Sequence, residues 1–261
     1  MTSSSRSDSA PGSDPSPAVP SKHALSPTAA AEPPSKRVKY VATITVLAGA
    51  KEQPFIVHED EASAKSPFFA SACSENWKEG RDRVVKVASI EPEVMEQYIR
   101  WIYKDELCIQ TTPASEWTKQ VGTHLYWHNN AVYREHVELY LAAQYFLDDA
   151  LKIRTIESLR ATFKKSRGLY MTENIEHVWE TTPEDCGLQR FMVDTTLTWL
   201  AAHSVPTWLR ERCPDFVCAV AARALLARGK STDAFDPRKV DKCYYHDHKE
   251  GEKCEPRATP E

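Results

Sequence analysis

Glycine is scarce: the 261 residues hold 8, and the closest two, Gly168 and Gly187, stand 19 positions apart. A globular chain usually carries about 7% glycine. With that spacing neither a G-x-G-x-x-G fingerprint nor a Walker-type loop can be written, which excludes the common glycine-rich phosphate cradles. Long apolar runs are missing as well. The longest, Phe216 to Ala222, meets Arg223 far short of the ~20 apolar residues of a membrane span. No apolar stretch near Met1 reads as a secretory signal, and seven scattered cysteines form no disulfide framework. A soluble protein of a reducing compartment is expected, with no membrane partner. A net charge of −4 argues against direct nucleic-acid binding.

Residues 1–39 hold ten Ser, seven Pro and six Ala, and no aromatic residue precedes Tyr40. Such a segment buries too little apolar surface to offset chain entropy, so a disordered arm is expected. Ser16-Pro17 and Ser26-Pro27 are candidates for proline-directed phosphorylation, the alternative being an unmodified tether. The arm ends in Pro33-Pro34-Ser35-Lys36-Arg37-Val38-Lys39. Lys36, Arg37 and Lys39 behind two prolines have the form of a monopartite nuclear localisation signal; the alternative is a solvated domain edge. The expected location is the nucleus, the cytoplasm or both.

From Tyr40 the pattern becomes structured. Thr43–Val46 alternates at the strand period, Gln53–Val57 gives a second strand and Val84–Val87 a third. Ser66-Pro67 opens an apolar helix with a Ser cap and Pro in its first position. Glu91-Pro92-Glu93 opens another, with Val94, Tyr98, Ile99, Ile102 and Tyr103 at helical spacing. Periodicity is lost over 111–134, which reads as an insertion or long loop with one irregular helix. Two helices follow, carrying Val137, Leu141 and Tyr145, then Ile156, Leu159 and Phe163. More helices are expected at 173–180, 188–203 and 214–228, and a polar tail at 231–261.

Short matches in the right order carry a resemblance: Phe55-x-Val57-His58-x-Asp60, Lys65-Ser66-Pro67-Phe68-Phe69, Glu91-Pro92-Glu93, and Tyr98-x-x-Trp101-Ile102-Tyr103, with Gly49 before Phe55 and a long insertion before the penultimate helices. Together they resemble the BTB/POZ domain, in the form found in the large fungal group of BTB proteins. The resemblance covers about 40–165 and implies an α+β fold, a helical cluster flanked by a short mixed sheet. A helical region at 166–230 follows it. Family members usually carry Leu-Leu after the His-x-Asp, where this chain has Glu61-Ala62, and Ala42 replaces an acidic residue often found before the first strand's valine. The charge at Glu61 weakens the case for a family-type homodimer more than the case for the fold. His58 is expected to bond backbone groups at the turn into the helix.

The resemblance implies a protein-binding module and not an enzyme. In one branch of the family, adaptors dock onto a cullin scaffold through a hydrophobic-x-Glu motif ahead of the third strand. At that place this chain reads Trp77-Lys78-Glu79. An indole makes a good hot-spot anchor and Glu79 can meet a basic partner; the alternative is a Trp folded back onto the domain. The leading expectation is an adaptor presenting a client to a cullin-type ubiquitin ligase. The second is a nuclear scaffold or transcriptional co-regulator without cullin contact. The third is an enzyme with its site in the helical half.

No cofactor is required by this reading, but the tail holds Cys243-Tyr244-Tyr245-His246-Asp247-His248 and then Cys254. Cys243, His246, His248 and Cys254 supply the four donors of a tetrahedral structural zinc site, although the spacing is not that of a familiar finger. His124 and His128 stand four apart, without the intervening Glu of H-E-x-x-H, and read as part of a polar loop. Cys213 and Cys218 are expected to be buried thiols.

Overall fold

Ile44, Val46 and Ala48 are buried while their neighbours face outward, the period-2 signature of a half-buried strand. This strand is β1 (Thr43–Ala48), seen in a computed structural model that describes residues 42–107, 109, 123–165, 174–200 and 207–248. All of them lie in the compact unit Tyr40–Glu261. β1 pairs antiparallel with β2 (Gln53–His58), Val46 opposite Phe55, and parallel with β3 (Val84–Val87), Val46 opposite Val85. The order is β2-β1-β3. The β1–β2 turn needs Gly49, whose φ is +69° and whose missing Cβ would press on the Pro92 ring at 3.0 Å.

Three short helices connect β2 to β3: α1 (Glu59–Lys65), α2 (Pro67–Ala72) and α3 (Lys78–Asp82). Ser66 caps α2, its Oγ accepting from Phe69 N at 3.1 Å and donating to Phe146 O at 2.6 Å. One buried hydroxyl thus starts a helix and ties it to a residue 80 positions away. After β3, α4 (Pro92–Lys104) turns Met95, Tyr98, Trp101 and Ile102 into the core. That spacing of three and four is the face of an amphipathic helix.

α5 (Thr123–Tyr145) starts inside the stretch expected to be an insertion and runs unbroken from there. It borders two cores. Leu139, Ala142 and Ala143, with Phe146 just beyond the helix, join Ile44, Val46, Phe69, Tyr98 and Trp101 around the sheet. Tyr133, Val137 and Tyr140 join a second core with Ile156, Leu159, Phe191 and Phe216. Apolar residues therefore occupy more than one side of α5, and the one-sided stripe that marks a surface helix is absent. The second core is built by α6 (Asp149–Lys165), α7 (Ile175–Thr181), α8 (Gly187–Leu200), α9 (Thr207–Arg212) and α10 (Pro214–Leu226).

Two 3-10 turns, Thr232–Ala234 and Lys242–Tyr245, follow α10. They carry Tyr245 into the second core, where it is 1% exposed. The fold is α+β, mostly helical, with one small mixed sheet. Among the described residues no helix is long and apolar enough to cross a membrane.

Candidate functional site

Trp77 opens α3, its N–H donating to Ser74 O at 3.0 Å and its carbonyl accepting from Arg81 N at 3.3 Å. The helix lies against the turn before it so closely that a Cβ on Gly80 would stand 2.1 Å from the Ser74 carbonyl oxygen. Glycine at 80 therefore sets where the Trp77-Lys78-Glu79 turn emerges. Trp77 is 58% exposed and Glu79 is exposed as well. Both line an open groove of about 610 Å³ with Phe68, Tyr145 and Leu147.

The groove has an apolar centre and a charged rim. Phe68 and Tyr145 lie with ring centroids 5.2 Å apart. Leu147 is exposed at the α5–α6 junction, where φ of +57° turns the chain. Lys78, Glu79, Asp82 and Lys86 ring this surface. An apolar centre inside a polar rim is the anatomy of a protein-binding patch. It can accept a partner's apolar side chain against Trp77 and a cation at Glu79.

The remaining motif residues hold the sheet and α4 together. Phe69 is buried and stacks on Phe146 at 5.1 Å, and Phe146 stacks on Tyr98 at 4.3 Å. Trp101 is buried, and its Nε1 donates to Asp148 Oδ2 at 2.8 Å. Asp148 Oδ1 accepts from Leu151 N at 2.9 Å, so one buried carboxylate caps α6 and anchors α4. Burial pushes the Asp148 carboxyl above the usual carboxylate range, against the hydrogen bonds that favour its ionised form. His58 meets the side chain of Tyr103. The Tyr103 hydroxyl, brought by α4, accepts from His58 N at 3.0 Å and lies 2.8 Å from its Nδ1. Phe55 is half-buried in β2, Asp60 is exposed in the first turn of α1, and Pro67 takes the first position of α2. Ala62 is fully buried.

Cys243, His246 and His248 form a second constellation, their donor atoms all within 4.8 Å of one another. Asp241 caps the Lys242–Tyr245 turn by accepting from Cys243 N at 2.8 Å, and His246 N donates to Cys243 O at 3.1 Å. Asp247 is bound on three sides. Its Oδ1 accepts from Gly187 N at 2.7 Å and Arg190 Nη2 at 3.1 Å, and its Oδ2 accepts from Tyr140 Oη at 2.6 Å. Gly187 is the seat: a Cβ there would fall 1.9 Å from the Tyr245 carbonyl oxygen. Tyr245 Oη donates to Asp194 Oδ2 at 2.8 Å, and Arg223 holds both oxygens of Asp194 at 2.8 and 3.1 Å. Burial still pushes the Asp194 carboxyl upward, with Arg223 and Tyr245 opposing it.

Cys254, Lys36, Arg37 and Lys39 lie outside the described residues. His124 and His128 fall in the first turns of α5, where the side chains are likewise outside them. Cys213 is buried, but Cys218 is exposed, contrary to expectation. Five residues on a helix turn about 500°, so when one thiol faces the core the other faces away.

Asp148, Asp194, Arg190 and Asp247 were not singled out in the sequence. Asp148 alone had a local signal, an Asp directly ahead of a helical stretch. Against known proteins, the chain matches no protein-family profile, and no curated protein matches it significantly.

Proposed function

We propose that the chain is a non-enzymatic BTB/POZ-type interaction protein, an adaptor that joins a client protein to a cullin-type ubiquitin ligase. The observation that carries this reading is the exposed Trp77 beside Glu79 on one apolar-centred groove. A free indole of this size in a soluble setting has a large desolvation gain on binding, and Trp is enriched among hot-spot residues. The fold class is consistent with the reading. A short mixed sheet, helices between β2 and β3, and α4 after β3 support it.

A second reading, a nuclear scaffold or co-regulator without cullin contact, is favoured by the Lys36-Arg37-x-Lys39 cluster. One experiment separates the two. The full chain, tagged and expressed in its source organism, is purified from nuclear and cytoplasmic fractions and its partners identified. The adaptor reading expects a cullin to co-purify and to disappear with Trp77→Ala or Glu79→Lys. Nuclear enrichment with no cullin in either fraction would favour the scaffold.

A further inference from the structure

We propose that Cys243, His246 and His248 hold a zinc ion at the end of the Lys242–Tyr245 turn; Cys254, the fourth donor named from the sequence, lies outside the described residues. Three observations converge on the zinc site, none of which involves the Trp77 groove.

The first is donor placement. Among the described residues this is the one group of three or more His, Cys, Asp or Glu side chains with donor atoms so close together. Ligand atoms around tetrahedral zinc stand about 3.5 Å apart, given bonds of about 2.0–2.3 Å. Donors already within 4.8 Å need only small side-chain rotations to reach that spacing. The rings of His246 and His248 lie 5.4 Å apart and nearly perpendicular, which leaves room for an ion between them.

The second is preorganisation. His246 has extended backbone angles, φ −95° and ψ 137°. His248 N donates to His246 O at 3.1 Å, a tight turn about Asp247, which Gly187 N, Arg190 and Tyr140 fix in place. The turn leaves the donor atoms of His246 and His248 beside that of Cys243. The Arg190 guanidinium also donates to the Tyr244 and His246 carbonyls, at 2.7 and 3.3 Å. The segment bearing the ligands is held before any ion arrives.

The third is chemistry. Sulfur and imidazole donors select zinc over magnesium or calcium. One thiolate and two imidazoles are donors that zinc takes in tetrahedral sites, and His246 is only 4% exposed.

The test uses the full chain, freed of any tag and purified from zinc-supplemented cells without chelator. Elemental analysis is expected to give close to one zinc per chain. Cys243→Ser and His248→Ala should each lower zinc affinity by more than the about 10–100-fold that loss of an outer-shell partner costs. Cys218→Ser, an exposed thiol elsewhere, should leave it unchanged. Circular dichroism checks that each variant is folded. Cobalt substitution of the unaltered chain supplies a readout independent of any variant. Strong visible bands of tetrahedral cobalt with a thiolate charge-transfer band are expected, the latter reduced in Cys243→Ser. Zinc near zero, weak octahedral cobalt bands, or undiminished zinc in folded Cys243→Ser would each overturn the site.

Discussion

Replacing Gly187 by alanine puts the seating of the C-terminal segment to a quantitative test. The added Cβ would lie 1.9 Å from the Tyr245 carbonyl oxygen, where ordinary contact begins at 3.4 Å. The obstacle is backbone, so no side-chain rotation relieves it. The segment must retreat by about 1.5 Å, which would break the 2.7 Å bond from Gly187 N to Asp247 and the 2.8 Å bond from Tyr245 to Asp194. Overpacking alone typically costs about 1–3 kcal/mol. Each hydrogen bond to a charged group adds about 1.5–3 kcal/mol. The loss is capped where releasing the segment becomes cheaper than straining it, so a fall of about 3–5 kcal/mol in unfolding free energy is expected. Urea denaturation reads the size, and hydrogen exchange at Tyr244–His246 reads the place. Faster exchange there with the sheet amides unchanged would locate the damage in the seat. An unchanged urea midpoint with unchanged exchange at those amides would refute the close approach.

Three further outcomes follow from the buried polar groups. His136 bridges Val132 O at 2.7 Å and Ser158 Oγ at 2.8 Å, and burial pushes it from 6.5 down to about 4. As pH falls from 6.5 towards 4 the unfolded chain takes up a proton that the folded chain refuses, so stability declines, by about 3 kcal/mol at full extent. Urea midpoints measured across that window should fall more steeply for the unaltered chain than for His136→Gln; equal slopes would contradict the assignment. Trp101→Phe keeps the ring but removes the N–H that Asp148 accepts, costing about 1.5–3 kcal/mol. In an Asp148→Asn background that cost should shrink, and a full cost in both backgrounds would show that the pair is not coupled. Ser66→Ala loses both the cap of α2 and the donor to Phe146 O, and is expected to cost about 2 kcal/mol by chemical denaturation. A loss under about 0.5 kcal/mol would match an ordinary surface change and not a buried link.

What could be read from the sequence was local. β1 and β3 declared themselves because one face of each strand meets the core, so alternation is written into neighbouring residues. α4 did so for the same reason at the helical period. The start of α5 could not be read that way. Its apolar side chains answer to two cores, so no single stripe marks it, and its first turns read as part of an insertion or long loop with one irregular helix. The Cys/His pattern was visible as residue types at a spacing. Its seat was not, because Gly187, Arg190 and Asp194 stand 51 to 60 positions from the residues they hold. A glycine at a helix start carries no mark of the carbonyl that will rest on it. The groove was legible only by resemblance, since nothing in the order Trp77-Lys78-Glu79 says that Tyr145 and Leu147 will stand beside it.

The central claim is that Trp77 and Glu79 form a docking site for a cullin. Its most direct measurement is calorimetric titration of the full chain against the amino-terminal region of the source organism's BTB-binding cullin. Trp77→Ala and Glu79→Lys are run beside it. Saturable micromolar or tighter binding that either substitution abolishes is expected. Binding that survives both substitutions, or no heat at all from the unaltered folded chain, would contradict it.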